Sequence, residues 1–278
     1  MTLAHSPAGA GAASAAPAPA RVDLARTWKL RSPLAGDLET AADVLVLDLE
    51  DGLPAGRKAE GRDRARRAAT HAPVWLRISA AGTRDGEEDL ALGRELGSRL
   101  AGVVLAMCAG PVDVSHVAAS LPDGVPIVAM VESAAALLAA PAIAAHPATR
   151  RLAFGTGDFR RDTGMSADRI ALSWPRAQLV IASAAAGIAG PVDGPCGPVD
   201  QARDAALHAV AMGFTGTLAL QDAAVPGAHA GFTPAPDEVE RARAVLSATP
   251  DGPVDGSYAP TLARARALVE RAEALAAL

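Results

Sequence analysis

Two apolar segments of the chain each end at a carboxylate, and they follow one another in the sequence. Glu132 comes directly after residues 127–131, and Asp158 follows residues 152–154 across a Gly155-Thr156-Gly157 turn. Ending a buried strand in an unpaired charge costs several kcal/mol, because the charge loses its hydration. Two such ends on consecutive strands therefore predict a cation that both carboxylates share.

The chemistry of this predicted site follows from its ligands. Two carboxylates completed by water and substrate oxygens suit Mg2+, with Mn2+ as the alternative metal. Taken singly, Glu132 or Asp158 could instead cap the helix that follows it. Because Gly155 and Gly157 free the backbone beside Asp158, the pair favours a metal site.

Two earlier apolar segments also end near charged residues. Arg77 lies at the end of residues 74–78, and Glu50 and Asp51 follow residues 44–49. A fixed guanidinium at a strand end can bind a substrate carboxylate or a developing enolate oxygen. The alternative is a structural ion pair, in which Glu50 or Asp51 neutralises Arg77.

Other chemistries have weaker support in the sequence. A Schiff-base aldolase needs a buried lysine, and Lys29 is the lysine on a predicted strand, but the acidic pair would then have no function. None of the six histidines ends a predicted strand, which disfavours a histidine base. The basic run 57–67 carries interleaved acids, as is typical of a solvated helix face.

Composition narrows the classes of protein. The chain has 278 residues, of which 50% are hydrophobic and 3% aromatic, so we expect one large domain with an aliphatic core. The net charge of −5 does not favour a nucleic-acid partner. Without an apolar run of ~18 residues, no membrane span is expected.

The N-terminal segment and the two cysteines indicate the cellular compartment that we expect for the protein. Residues 1–20 lack the basic start and apolar block of a signal peptide, and their Ala/Pro composition predicts a disordered tail. Cys108 and Cys196 form neither a disulfide framework nor a zinc pattern. Free thiols indicate a cytoplasmic protein.

Eight apolar segments alternate with helical ones. Strands are predicted near 27–30, 44–48, 74–79, 102–107, 126–132, 151–154, 190–193 and 217–220. Helices are predicted near 57–69, 85–96, 112–121, 133–145 and 200–212. Continuous apolar strands are expected when both faces of a sheet are covered, so the pattern predicts an α/β fold of the (β/α)8 TIM-barrel type. A doubly wound sheet is the alternative, weakened by the lack of a Gly-x-Gly-x-x-Gly after the first strand.

The C-terminal part differs from this repeat. We predict a barrel over 21–223 and an extension over 224–278, with a loop at 224–236, a helix at 237–248, turns at 251–260 and an amphipathic helix at 261–278. The last helix carries an apolar stripe, formed by Leu262, Ala265, Leu268, Val269, Ala272 and Leu275. The stripe must be covered either by the same chain or by a neighbouring subunit, so the extension is a candidate lid or oligomer contact.

Four motifs, in order and spacing, resemble the HpcH/HpaI aldolase and citrate lyase superfamily, and most closely its citrate lyase beta-subunit-like branch. They are Asp43-Val-Leu-Val-Leu-Asp-Leu-Glu-Asp51, Trp75-Leu-Arg77-Ile, Val131-Glu132-Ser133 and Phe154-Gly-Thr-Gly-Asp158. Arg31-Ser32 matches an Arg-Ser pair of the first strand. The resemblance covers roughly residues 26–270.

The resemblance implies a trimeric or hexameric (β/α)8 barrel that binds Mg2+ through Glu132 and Asp158. Members make or break a carbon–carbon bond beside a thioester or a keto acid. Arg77 would then stabilise an enolate oxygen, with Glu50 and Asp51 in the acidic motif of this branch. Substrate contacts would come from Arg31, Ser133, Gly155, Gly157 and Tyr258.

The expected activity is Mg2+-dependent cleavage of a 3-hydroxyacyl thioester, such as a coenzyme A ester. Three positions depart from the family pattern. Ala106-Met107 stands where a Pro-Lys is frequent, Gln221-Asp222 stands where a His-Pro is frequent, and Tyr258 precedes Ala259-Pro260 where several lyases place an Asp. Two alternatives therefore stay open, a metal-dependent aldolase acting on a free keto acid and a non-catalytic barrel that binds a thioester.

Overall fold

The computed structural model describes residues 19–248 and 254–277. The predicted tail at 1–20 therefore lies outside the described residues, except that Pro19 begins a short helix. Part of the predicted turn region, residues 251–253, also lies outside them.

Eight parallel strands close into a barrel in the order in which they occur along the chain. They are β1 (Thr27–Arg31), β2 (Val44–Asp48), β3 (Val74–Ile78), β4 (Leu100–Leu105), β5 (Ile127–Val131), β6 (Thr149–Phe154), β7 (Val192–Asp193) and β8 (Gly216–Ala219). β1 pairs with β8, which completes the ring. The predicted (β/α)8 fold class is confirmed.

Helices surround this barrel. They are α1 (Pro19–Leu24), α2 (Lys58–Ala68), α3 (Arg84–Leu96), α4 (Pro111–Ser120), α5 (Ala134–Ala144), α6 (Thr156–Thr163), α7 (Ser173–Ala185), α8 (Ala202–Met212), α9 (Val225–Phe232), α10 (Pro236–Ser247) and α11 (Tyr258–Ala276). Among the described residues, no helix combines the length and the apolar character needed to cross a bilayer.

The core has two layers, because alternate residues of each strand point into the barrel or toward the helices. The outer layer is aliphatic as predicted, built largely from Leu, Val, Ile and Ala. The inner layer differs, since Trp28 and Trp75 meet edge to face with their ring centres 5.0 Å apart. Gly102 makes room for this pair, because a Cβ there would lie 2.3 Å from the ring of Trp75.

Arg151 lies where the amino-terminal end of the barrel meets α1. Its guanidinium is fully buried and donates to the carbonyls of Val22, Ala25 and Gly190. It also lies over the ring of Trp28 at 5.7 Å. Burial lowers the pKa of Arg151 to about 9. Val22 and Ala25 belong to the inner core cluster, so α1 closes this end and the carboxyl ends of the strands remain for chemistry.

The predicted loop at 224–236 is wrong over most of its length. Residues 225–232 form α9, the helix that follows β8. Its glycines allow α9 to approach α8 closely, because a Cβ at Gly231 would lie 2.4 Å from Ala206 Cβ and one at Gly227 would lie 3.2 Å from Ala202 Cβ. Together with the nearby prolines, the same glycines predicted a loop, because the sequence does not show which helix they pack against.

The apolar stripe of the last helix is covered by its own chain. Ala265 and Val269 of α11 pack against Val239 and Ala242 of α10 as a small separate core. Arg271 joins α11 to the barrel by donating to the carbonyl of Thr215 at 3.1 Å. The stripe is therefore not by itself a reason to expect a neighbouring subunit.

Gly231→Ala tests the packing of α9 on α8. The added methyl group should push the helices apart and destabilise the protein by about 1–3 kcal/mol, since overpacking forces side chains and backbone to shift. Thermal unfolding followed by circular dichroism should show a clear fall in Tm. Gly56→Ala is the matched control, because a Cβ at Gly56 meets nothing within 4 Å. Equal Tm values for the two variants would contradict the close approach of the helices.

Candidate active site

Four charged side chains gather at the carboxyl ends of neighbouring strands. Asp48 is the last residue of β2, Arg77 lies one residue before the end of β3, Glu132 follows β5, and Asp158 lies in the first turn of α6. Asp48, Arg77 and Glu132 are each less than 8% exposed. This is the end of a parallel barrel at which chemistry is generally carried out.

The partner of Arg77 is Asp48, a residue that the sequence pattern did not single out. Arg77 Nε and Nη2 donate to the two carboxylate oxygens of Asp48 at 2.7 and 2.6 Å. The two Cα atoms are register partners in neighbouring strands, so the pair follows from the sheet itself. Burial acts to lower the pKa of Arg77, but Asp48, together with the charges of Glu50 and Glu132, outweighs it and raises that pKa. A Cβ at Gly52 would lie 2.7 Å from Asp48, so this glycine makes room for the carboxylate.

Of the two predicted acidic neighbours, Glu50 reaches Arg77. Its Oε2 lies 3.2 Å from Arg77 Nη1 and accepts the Asp51 backbone N–H at 2.9 Å. Burial raises the pKa of Glu50, while the charge of Arg77 opposes the rise. Asp51 itself is exposed. Lys58 donates to the carbonyls of Leu49 and Glu50, both at 2.6 Å, and so holds the turn after β2.

Glu132 is seated between two backbone segments. Its Oε1 accepts the Met107 N–H at 2.5 Å. On its other side lies Gly155, where a Cβ would be 2.2 Å from Oε2. Burial raises the pKa of Glu132 to about 7, and the negative charges of Asp158 and Glu50 add to the rise, while the Met107 N–H and Arg77 oppose it.

Asp158 completes the acidic pair. Its Oδ1 pairs at 2.6 Å with Arg161, whose side chain is 74% exposed. Glu132 and Asp158 follow the neighbouring strands β5 and β6, and the negative charge of Asp158 adds to the rise in the pKa of Glu132. A divalent cation would offset both the cost of burying the Glu132 charge and the repulsion between the two carboxylates. The donor set of two carboxylates fits such a cation. Among the described residues, no group of three or more His, Cys, Asp or Glu forms a ready-made site, so water and substrate oxygens would complete the shell, as suits Mg2+ or Mn2+.

The remaining predicted site residues have different surroundings. The Ser133 hydroxyl accepts the Ala136 N–H at 3.1 Å and caps α5. Gly155 provides space for Glu132, whereas a Cβ at Gly157 would meet nothing within 4 Å. Arg31 ends β1, where it pairs with Asp222 and donates to the Asp37 carbonyl at 2.7 Å.

Tyr258 and Lys29 lie apart from the acidic pair. Tyr258 begins α11, which packs against α10 and α1. Within the described residues, no hydrogen bond joins it to Arg77, Glu132 or Asp158. Lys29 Nζ donates to the carbonyls of Leu220 and Leu30 at 2.6 and 3.2 Å, which gives no support to Schiff-base chemistry.

The chain is similar to known proteins along most of its length. The family model described as HpcH/HpaI aldolase/citrate lyase matches residues 35–222, and that of the HpcH/HpaI aldolase C-terminal domain matches residues 237–276. A (3S)-malyl-CoA thioesterase of Cereibacter sphaeroides is 30% identical over 257 residues, which is 85% of this chain and 89% of the relative.

Two further relatives also match most of the chain. A citrate lyase subunit beta-like protein of Deinococcus radiodurans is 30% identical over 256 residues, covering 83% of this chain and 89% of the relative. The solved structure of CitE from Mycobacterium tuberculosis, in complex with magnesium, acetoacetate and coenzyme A, superposes with a TM-score of 0.73 at 25% identity. The match covers 90% of this chain and 99% of that one.

Mg2+ binding should depend on both carboxylates and on pH. Glu132→Gln and Asp158→Asn should each weaken Mg2+ at least ~10-fold while the barrel stays folded, because a charged ligand is lost at the mouth rather than in the core. The ordinary pKa of a glutamate, 4.5, is raised at Glu132 to about 7, so the folded protein holds a proton there between these values. Stability from that proton is complete below pH 4.5 and is lost as pH rises through about 7.

Since Mg2+ needs the ionised carboxylate, its affinity should rise with pH up to about 7 and then level off. Calorimetric titration at pH 6, in two buffers of different ionisation enthalpy, should show proton release on binding. The Glu132→Gln variant should release none. An affinity that is constant from pH 5.5 to 8.5 would contradict the role of Glu132.

Gly155→Ala and Gly157→Ala form a matched pair at the same turn. The methyl group at residue 155 would collide with Glu132, whereas the one at 157 has free space. We therefore expect Gly155→Ala to weaken Mg2+ binding by at least about 10-fold, as when a metal ligand is misplaced, and Gly157→Ala to leave it unchanged. Calorimetry on both variants measures the difference, and equal affinities would show that Gly155 does not seat Glu132.

Proposed function

Because the chain belongs to the HpcH/HpaI aldolase/citrate lyase family, we propose that it is a Mg2+-dependent carbon–carbon lyase that cleaves a 3-hydroxyacyl thioester of coenzyme A. The products are an acyl-CoA and a keto acid. The membership confirms the resemblance that the four motifs indicated. The observation that carries the proposal is the buried Asp48–Arg77 pair beside the Glu132–Asp158 carboxylates, since cleavage of this kind needs a fixed cation where an enolate forms.

Arg77 is suited to stabilise the enolate. Asp48 holds Nε and Nη2 in a bidentate pair, so the plane of the guanidinium is fixed before substrate arrives. Nη1 is the nitrogen that faces Glu50 and can also donate to a thioester oxygen. When the bond between C2 and C3 breaks, its electrons move to that oxygen, and a preorganised donor there costs no reorganisation.

Glu50 is suited to accept the proton of the 3-hydroxyl group. It lies beside Arg77, its side chain is 19% exposed, and burial raises its pKa, all of which a base at the mouth requires. Loss of the hydroxyl proton turns the carbinol carbon into the carbonyl of the keto acid as the carbon–carbon bond breaks. The enolate then takes up one proton and becomes the acyl-CoA.

Glu132 and Asp158 would hold Mg2+. When bound, the metal supplies Lewis acidity to substrate oxygens. The support for Mg2+ is the donor set of this chain together with the solved relative, whose complex contains magnesium, acetoacetate and coenzyme A. Gly155 and the Met107 N–H keep the Glu132 carboxylate in place.

A second candidate function is hydrolysis of a hydroxyacyl-CoA. It is favoured by the relative named (3S)-malyl-CoA thioesterase, which matches 85% of this chain. In this reaction water adds to the thioester carbonyl, and coenzyme A leaves as the thiol. Arg77 would then stabilise the oxyanion of the tetrahedral intermediate rather than an enolate.

The proposal extends to assembly and location. We place the protein in the cytoplasm as a homotrimer or a hexamer, with the extension over 224–278 as a lid or an oligomer contact and Tyr258 facing a neighbouring site. The free cysteines support the location. The match of residues 237–276 to a C-terminal domain of the family supports a distinct role for the extension.

Product analysis distinguishes the lyase from the hydrolase. The purified protein is incubated with Mg2+ and, in turn, malyl-, citramalyl- and 3-hydroxy-3-methylglutaryl-CoA. A lyase yields one equivalent of keto acid and no free thiol, whereas a hydrolase yields free thiol and no keto acid. Arg77→Lys should lower kcat/KM by about 10²–10³-fold, because the bidentate pair with Asp48 and the preorganised donor are both lost.

Arg57→Lys is the matched control, since Arg57 lies on the surface, where it pairs with Glu60 at 2.7 Å. It should leave the rate unchanged. Absence of both products with all three thioesters would refute the proposed function and its alternative together, while keto-acid formation from free hydroxy acids would move the activity to the aldolase class.

A further inference from the structure

Met107 has an unusual backbone for its residue type. Among the described residues it is the one non-glycine with a positive φ, at 51°. This left-handed conformation brings Cβ close to the following carbonyl and is unfavourable for an L-residue other than glycine. Such residues persist where the surrounding structure fixes them, and they concentrate at functional sites.

The residues on both sides fix the position of Met107. The Ala106 N–H donates to the Ile78 carbonyl at 3.1 Å, so the preceding residue is still anchored to β3. Cys108 is 1% exposed, and the Ala109 N–H donates to Asp113 Oδ2 at 2.7 Å, which anchors the following residues to α4. The chain therefore turns between two anchored segments, and the left-handed conformation in this turn falls on Met107.

The N–H of this left-handed residue points into the mouth of the barrel. There it meets Glu132 Oε1 at 2.5 Å, a short bond of the charge-assisted kind. The same carboxylate rests against Gly155. One oxygen of Glu132 thus accepts a backbone hydrogen bond, and Gly155 packs against the other side of the carboxylate. These two contacts fix the direction of its remaining lone pairs.

We propose that Met107 is a positioning residue for the metal site, and that it acts through its backbone conformation rather than its side chain. This inference rests on the proposed function in taking Glu132 as a Mg2+ ligand. Because the residues on both sides are anchored, the left-handed φ is what allows the chain to continue to α4 while the Met107 N–H stays on Glu132. The N–H in turn orients the carboxylate toward the cation shared with Asp158. The side chain is 39% exposed, and the proposal assigns it no contact with the metal.

Two variants, Met107→Gly and Met107→Val, distinguish an effect of the backbone conformation from an effect of the side chain. Both remove the methionine side chain, but glycine adopts positive φ freely and valine strongly resists it. We expect Met107→Gly to bind Mg2+ within about twofold of wild type and to show a higher Tm, since the unfavourable conformation is relieved. Met107→Val should bind about 10–100-fold more weakly, as when a group that orients a metal ligand is lost.

Met107→Ala keeps the test valid if the valine variant does not fold. Alanine tolerates positive φ less well than glycine and better than valine, so its Mg2+ affinity should lie below that of Met107→Gly. Equal weakening in the glycine and alanine variants would show that the side chain acts. Unchanged affinity in all three variants would show that the hydrogen bond does not orient the ligand, and either result overturns the proposal.

A metal-free measurement tests the hydrogen bond itself. The chain contains 5 methionines, so 15N-methionine labelling gives a simple amide spectrum, in which Met107 is assigned by its loss in Met107→Gly. A short bond to a carboxylate should move its amide proton downfield, and Glu132→Gln should move it back. An unchanged shift in Glu132→Gln overturns the proposal even if Mg2+ binds. Absence of Mg2+ binding by wild type, with the shift as expected, refutes the proposed metal and leaves the Met107–Glu132 contact in place.

Discussion

The ion pair between Asp48 and Arg77 is the constraint on which the mouth of the barrel depends. Both residues are buried, and removing either partner of such a pair leaves an uncompensated charge. The pair forms because β2 and β3 place the two Cα atoms in register and because Gly52 leaves space beside Asp48. It also fixes the plane of the Arg77 guanidinium and leaves Nη1 facing Glu50, which is the arrangement that the proposed lyase chemistry needs.

Glu132 is in the opposite condition, since it is a buried carboxylate that forms no salt bridge among the described residues. Glu132 is 2% exposed, and burial and neighbouring carboxylates raise its pKa to about 7. Two backbone positions beside the Glu132 carboxylate are tightly constrained. Residue 107 has a left-handed backbone, and position 155 has no room for a Cβ. Strain and crowding of this kind are expected where a ligand must be held ready for a cation.

The two ends of the barrel show how the partner decides what a buried arginine does. Arg151 bonds to backbone carbonyls and to a hydroxyl at the amino-terminal end, and burial lowers its pKa to about 9. Arg77 at the other end has two carboxylates, and its pKa is raised despite its burial. One guanidinium therefore closes the barrel by donating to carbonyls, while carboxylate partners keep the other one charged at the end of the barrel where we propose that catalysis takes place.

The sequence by itself determined the strands and the types of chemistry at their ends, because a buried apolar segment that stops at Arg77, Glu132 or Asp158 carries its signal in consecutive residues. It did not find Asp48 as the partner of Arg77 or Met107 as the partner of Glu132, since those contacts join different strands. Gly227 and Gly231 predicted a loop and in fact permit α9 to pack on α8. In the sequence, a glycine that bends the chain cannot be told from one that lets a neighbouring helix approach. Only the tertiary structure decides between these two roles, because it shows which atom a Cβ at that position would contact.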